Sequence, residues 1–243
     1  MAIIQARMGS TRFPGKAMLE VLGKPLLSFC LERLLLCKYL NKIVVAVPSN
    51  PRDQIIVDFC RKNDISVFIG SENDVLDRYY QAALTFNADV IVRITGDCPL
   101  CDPKIIDEII QVYIQKYPNY EYVSNVIDRR YPRGLDVEVF SMQCLEKIKR
   151  YAATTSEKEH VTTYLLTHLD RFKVISVTQE KDLSSYRWTV DTKEDFLLVK
   201  SILEALYPYN PHFSSEDILK MYEKHPEWKE INSHIKQKEI ELC

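Results

Sequence analysis

The chain reads as an α/β protein built on a mostly parallel sheet with helices on both faces, a three-layer arrangement. Three observations predict this. Short runs at 2–6, 42–47, 66–69 and 90–95 are apolar almost throughout, as strands buried on two sides are. Between them lie longer stretches with apolar residues at helical spacing. Strands that alternate with helices in this way need the crossover connections of a parallel sheet.

In order, residues 2–6 form the first strand and empty into a basic, glycine-containing loop. Residues 25–37 carry Leu26, Leu27, Phe29, Cys30, Leu31, Leu34 and Leu35 at helical spacing, with Pro25 suited to the first turn. A strand at 42–47 precedes a helix at 52–63, which places Ile55, Ile56, Phe59 and Cys60 on one face. After the strand at 66–69, residues 74–86 are again helical through Val75, Leu76, Tyr79, Tyr80, Ala82 and Ala83. The strand at 90–95 ends in Gly96-Asp97, and 103–116 is an amphipathic helix.

From about residue 117 the rhythm changes. Strands are expected at 120–125 and 135–140, separated by a turn bearing Arg129, Arg130 and Arg133. Ser141 is placed to cap a helix to Arg150, and Ser156 another through His168. Strands follow at 173–177 and 186–190. Thr192 with Asp195 forms a capping box for a helix to Leu206, and Ser214 with Asp217 does the same for 218–225. The Lys- and Glu-rich stretch from Pro226 is expected to be a surface helix. The domain reading is one unit over 1–225 and a charged helical tail over 226–243, with no internal repeat or low-complexity linker.

Composition narrows the function classes. A chain of 243 residues with 46% apolar and 27% charged residues is ordinary for a soluble globular protein. Lys plus Arg number 32 against 34 for Asp plus Glu, so no global charge points to nucleic acid or a membrane surface. The amino terminus lacks signal-peptide character, and the longest apolar stretch, 26–36, is interrupted by Glu32 and Arg33. Seven cysteines without framework spacing suggest reduced thiols and a cytoplasmic location. Cys98 and Cys101 have the spacing of half a zinc site, but no second pair accompanies them.

The loop after the first strand concentrates Arg7, Gly9, Ser10, Thr11, Arg12, Pro14, Gly15 and Lys16. Glycines let backbone N–H groups approach an anion, and the three cations supply charge for several phosphates. A phosphate cradle and a solvated basic turn both fit this composition. A P-loop does not: five residues separate Gly9 from Gly15, Ala17 follows Lys16, and Gly23 and Pro25 argue against a helix opening at the lysine. Ligands of open α/β sheets bind beyond the carboxyl ends of the strands, where this loop and Asp97 both fall. A carboxylate there suits magnesium, which takes one or two carboxylates beside phosphate and water. An Asp shaping the turn before Pro99 is the alternative. Asp191 also ends an expected strand. Helix capping would explain it, yet Thr192 already offers the cap.

The stretch Ala6-Arg7-Met8-Gly9-Ser10-Thr11-Arg12-Phe13-Pro14-Gly15-Lys16 resembles the opening of the cytidylyltransferases that activate acidic sugars, the family of CMP-Kdo and CMP-sialate synthetases. It is most similar to their spore-coat polysaccharide branch. The resemblance implies a Rossmann-like, nucleotide-diphospho-sugar transferase-like fold, with a small dimerisation sub-region at about 120–180 and hence a homodimer. It implies that Ala6, Arg7, Gly9, Ser10, Arg12 and Lys16 bind CTP. It makes Asp97, in Gly96-Asp97, and Asp191, in Val190-Asp191-Thr192-Lys193-Glu194-Asp195, the carboxylates that hold Mg2+.

Three further stretches match. Asp77-Arg78 lies where relatives approach nucleotide or sugar, although a helix-surface ion pair reads the same. Arg133, Asp136 and Glu138 offer a cation for a sugar carboxylate and two carboxylates spaced to share a strand face. His160, in Glu159-His160-Val161-Thr162, is an acceptor-side candidate or a structural histidine. Thr95 stands where CMP-Kdo synthetases carry Gln, which leaves base and sugar selection open. The expected activity is magnesium-dependent transfer of CMP from CTP to an ulosonate-type sugar, with Arg7, Lys16, Asp97 and Asp191 at the chemistry. Two rivals remain: a glycosyltransferase using Asp136-Val137-Glu138 as its acidic motif, and a non-catalytic nucleotide- or sugar-binding protein.

Overall fold

The computed structural model describes residues 1–237. β1 (Ala2–Gln5) leads through the basic loop and a single 3-10 turn (Lys16–Met18) into a hairpin of β2 (Glu20–Val21) and β3 (Lys24–Pro25). The turn at Lys16 and the hairpin are both departures from the sequence expectation. Gly15, in the left-handed region at φ 74°, and the bond from Met18 N–H to the Gly15 carbonyl allow the turn. α1 (Leu26–Leu34), β4 (Ile43–Pro48), α2 (Gln54–Lys62), β5 (Ser66–Gly70), α3 (Val75–Thr85), β6 (Val90–Thr95) and α4 (Pro103–Lys116) then alternate as the periodicity predicts.

The second half contains β7 (Tyr122–Ser124), β8 (Glu138–Ser141), α5 (Met142–Tyr151), α6 (Thr155–Glu159), α7 (Thr163–Thr167), β9 (Val174–Ser176), α8 (Lys193–Leu206), α9 (Ser215–Lys224) and α10 (Trp228–Asn232). The sheet order is β5-β4-β1-β6-β8-β7-β9. Only β8 runs against the others. β1 sits inside the sheet between β4 and β6, so the loop that follows it opens at the middle of the carboxyl edge.

Alternation along β1 explains its nearly unbroken apolar sequence. Ala2 and Ile4 face the layer that contains α1, α2 and α4, whereas Ile3 faces α3 and α5. Tyr79 of α3 ties one layer to the sheet, its buried hydroxyl donating to the Ile3 carbonyl at 2.9 Å. A third cluster gathers Trp188, Val190, α8, α9 and Trp228 around Leu26 and Phe29 of α1.

Three expectations need correction. Residues 186–190 form no strand. Their main chain is satisfied by a bridge to Arg133 and by Val190 N–H donating to the Asp97 carbonyl, while Trp188 and Val190 turn into the third cluster. The helix expected over 156–168 is two short ones, capped by Thr154 with Glu157 rather than by Ser156. α6 buries no side chain, and the chain is extended at His160, which separates it from α7. The stretch after Pro226 is not merely a surface helix, because Trp228 of α10 is buried, stacking on His225 at 4.8 Å and edge-on to Tyr222. Residues 238–243 of the expected tail lie outside the described residues.

Trp228→Ala is expected to cost about 3 kcal/mol, as truncation of a buried large aromatic does. Urea denaturation checks this, and an unchanged midpoint would return α10 to the surface.

Candidate active site

Two close approaches of main chain assemble the site. Gly96 N–H donates to the Gln5 carbonyl at 2.9 Å, and a Cβ at Gly96 would stand 2.9 Å from that same oxygen. A glycine is therefore required to let the end of β6 lie against the start of the basic loop. Gly134, at φ 101°, does the same for Arg133 and Trp188, where an added Cβ would meet the Trp188 carbonyl carbon at 2.6 Å. Trp188 N–H donates to the Arg133 carbonyl at 2.7 Å and Val190 N–H to the Asp97 carbonyl at 2.8 Å. Asp97 and Asp191, far apart in sequence, are thereby carried to one point.

That point is taken by Lys16. Its ammonium lies 2.7 Å from Asp97 Oδ2 and 2.7 Å from Asp191 Oδ1. Arg12 Nη2 reaches the other oxygen of Asp191 at 2.9 Å, and Arg187 Nη2 the same oxygen at 2.7 Å. Arg7 pairs with Glu159 at 3.2 Å. All three loop cations thus rest on carboxylates, a charge-balanced cluster at the mouth of a cleft of about 290 Å3.

Burial would push the Asp97 carboxyl up, but the Lys16 ammonium overrides it and holds the group at about 2. Burial likewise opposes the charge on Lys16, and the two aspartates outweigh it and raise its pKa. The loop itself is anchored by Asp53, fully buried, whose carboxylate accepts from Met8 N–H at 2.5 Å. Asp53 was not among the residues the sequence singled out.

Among the described residues no group of three or more His, Cys, Asp or Glu side chains could hold a metal by itself. The donor set here is two carboxylates whose oxygens already share one cation, the ammonium. That suits a divalent ion that completes its shell with phosphate and water.

A family model described as cytidylyltransferase matches residues 1–240. The chain belongs to the cytidylyltransferase family. A cytidylyltransferase from Leptospira borgpetersenii has a similar structure, with a TM-score of 0.90 at 38% identity over 93% of this chain and 94% of that one. The spore coat polysaccharide biosynthesis protein SpsF of Bacillus subtilis is 32% identical over 93% of this chain and 94% of its own. The 3-deoxy-manno-octulosonate cytidylyltransferase of Geobacter metallireducens is 35% identical over 109 residues, 45% of this chain and 42% of that one. The sheet and its helical layers are those of the nucleotide-diphospho-sugar transferases, and the family supports nucleotidyltransferase activity for this chain.

The cleft brings together Ala6, Arg7, Ser10, Arg12, Lys16, Arg78, Asp97, Arg133, Asp136, His160 and Asp191 of the expected residues. Two are placed differently. Gly9 does not line the cleft; it makes room for the Arg52 guanidinium, which a Cβ would strike. Glu138 is buried inside the sheet, bound to Arg93 and accepting from the Tyr122 hydroxyl at 2.6 Å. Asp136 precedes β8 and pairs with both Nη atoms of Arg129, at 2.5 and 2.9 Å. Only Asp136 of the pair lines the cleft, so Asp136-Val137-Glu138 does not present two carboxylates to a ligand there as the glycosyltransferase rival requires.

Arg78 is no surface ion-pair partner. It is buried, one Nη donates to the Ser71 carbonyl, and Asp77 turns away to Lys149 at 2.5 Å. Its Nε has no acceptor among the described residues. The guanidinium of Arg133 makes no ion pair among the described residues and stands in the cleft. Arg93, Thr189 and Gln237 also line it. No local motif marked them, since each arrives through long-range pairing.

Lys16→Met tests the electrostatics. In the native protein the Asp97 pKa is depressed, so its pairing contributes stability above about pH 4 that is lost as pH falls towards 2. Without the ammonium only the Thr95 and main-chain hydrogen bonds oppose burial, so the pKa rises and the variant gains less stability than the native protein as pH rises through that range. Denaturation midpoints of the two proteins should draw together as pH falls towards 2 and separate by about pH 6. A gap independent of pH would refute the assignment.

Proposed function

We propose that the protein is a magnesium-dependent cytidylyltransferase that transfers CMP from CTP to an acidic, ulosonate-type sugar, releasing pyrophosphate, for surface polysaccharide or glycan synthesis. The observation that carries the reading is the convergence of Lys16, Asp97 and Asp191 at the mouth of a cleft lined by four arginines of the expected set, Arg7, Arg12, Arg78 and Arg133. A nucleoside triphosphate brings several negative charges at once, and Arg7, Arg12 and Lys16 supply the donors to hold them. The polysaccharide setting rests on the likeness to SpsF, and the ulosonate on the partial likeness to the octulosonate enzyme.

On this reading Asp97 and Asp191 hold Mg2+, which when bound neutralises charge on the triphosphate. The triphosphate draws Arg7 from Glu159 and Arg12 from Asp191, exchanging carboxylate partners for phosphate oxygens. Lys16 and Arg12 stabilise the negative charge that develops as pyrophosphate leaves. Arg133 offers a forked donor to the carboxylate of the sugar, whose hydroxyl attacks the α-phosphate in line. No covalent intermediate with the protein is needed. Arg78 is assigned to the nucleotide.

The reading includes a cytoplasmic location and a homodimer with its contact in about 120–180. The six cysteines described are free and buried, as reduced thiols are. No described helix is long and apolar enough to cross a membrane. Sedimentation is expected to give a dimer mass, and a monomer at micromolar concentration would refute that part.

The activity is tested by pyrophosphate release with magnesium, pairing each common nucleoside triphosphate with ulosonic acids and neutral sugar phosphates. Release with CTP and an ulosonate is expected, and Asp97→Ala should lower kcat on the order of a hundredfold or more. Release with a neutral sugar phosphate alone would overturn the substrate. CTP binding without release from any acceptor would favour the binding protein.

A further inference from the structure

The cytidylyltransferase reading gives Arg187 no role. Arg187 is buried and lies beside the site, and its guanidinium is held at three corners. Nε donates to Asp195 Oδ1 at 2.9 Å, Nη1 to Gln237 Oε1 at 2.6 Å, and Nη2 to Asp191 Oδ2 at 2.7 Å. A planar fork bound in this way has its plane fixed, and it fixes the carboxylate on its third corner.

The other members of the network come from the end of the chain. Asn232, buried in α10, donates from Nδ2 to both Asp195 Oδ1, at 2.8 Å, and the Arg187 carbonyl, at 3.0 Å. The second oxygen of Asp195 accepts from the Asp191 and Thr192 N–H groups at 3.0 and 3.1 Å. Asp195 therefore binds the main chain of Asp191 with one oxygen and, with the other, the arginine that binds its side chain. Gln237 lines the cleft as well as the guanidinium.

We propose that Asn232 and Gln237, with Arg187 and Asp195, are positioning residues that set the orientation of the Asp191 carboxylate, so that the segment from α10 to Gln237 completes the active site. The inference rests on the reading of Asp191 given above. Its physical basis is the balance at Asp191: Lys16 holds one oxygen, Arg12 and Arg187 the other. Of these, Arg12 leaves Asp191 for the triphosphate on the reading above, and Lys16 turns to the leaving pyrophosphate. Arg187, buried and committed on its other corners, remains to keep the carboxylate aimed.

The test uses the full chain with Gln237→Ala, Asn232→Ala and the acceptor-retaining Gln237→Glu. The first readout is the 15N NMR signal of the Arg187 Nε–H and the rate of rotation about its Nε–Cζ bond, recorded without metal or nucleotide. Slow rotation in the native protein and fast rotation in Gln237→Ala are expected, with Gln237→Glu restored. The second is turnover against magnesium concentration. Gln237→Ala should fall about tenfold at limiting magnesium and recover partly at excess, as when the partners that orient a metal-binding side chain are removed. Its KM for the acceptor should hold within about twofold, because no acceptor contact is lost. Thermal melting separates these effects from loss of fold, and Gln237→Ala serves if Asn232→Ala does not fold.

Unchanged rotation in Gln237→Ala, or native magnesium dependence in that variant, would overturn the proposal. A native protein without turnover but with Arg187 released in Gln237→Ala would refute the assigned activity while supporting the positioning network.

Discussion

Charges taken partly out of water must be paired, and this constraint shapes the site. Asp97, Asp191 and Lys16 meet where three chain segments cross, and none of the three is stable there alone. Burial raises the carboxyl and lowers the ammonium, and only their mutual approach reverses both shifts. The outer partners follow from the same need. Asp191 takes Arg12 and Arg187, Arg187 takes Asp195, and Asp195 takes Asn232. What looks like a list of ion pairs is one network that runs from the first loop to α10.

The fold places this network where a parallel sheet leaves room for it. β1 lies inside the sheet, and its carboxyl end opens between β4 and β6. Two glycines permit main-chain contacts that any side chain would block, one joining β6 to the loop and one joining residue 134 to residue 188. The inverted strand β8 extends the sheet beyond β6 and carries Glu138 inward, where it neutralises Arg93 instead of facing a ligand. The cations of the loop are pre-positioned on carboxylates, so an incoming polyanion exchanges partners and does not have to order free side chains.

Legibility followed the range of the interactions. The first half was readable because each element is decided by neighbours in sequence. Apolar periodicity marks α3 and α4, and capping boxes at Thr192 and Ser214 mark α8 and α9. Asp97 and Lys16 were readable from their position after strands. The misplacements share a cause. Glu138 was expected beside Asp136 at the site, but Arg93, directly opposite it on β6, and the Tyr122 hydroxyl hold it inside the sheet. Residues 186–190 have strand composition yet find no strand to pair with. The charged end hid Trp228 because one buried aromatic among polar residues carries no period.

By itself, then, the sequence determined the α/β class, the alternating order of elements, the basic loop and the acidic residues that end strands, since all of these are set by local pattern and chemistry. The tertiary structure alone decided that Lys16 bridges Asp97 and Asp191, that Glu138 turns inward, and that Asn232 and Gln237 reach Arg187. Those contacts join residues tens to more than a hundred positions apart. Their geometry depends on strand order, on where Gly96 and Gly134 let backbones touch, and on which charges are left to pair once the core has closed.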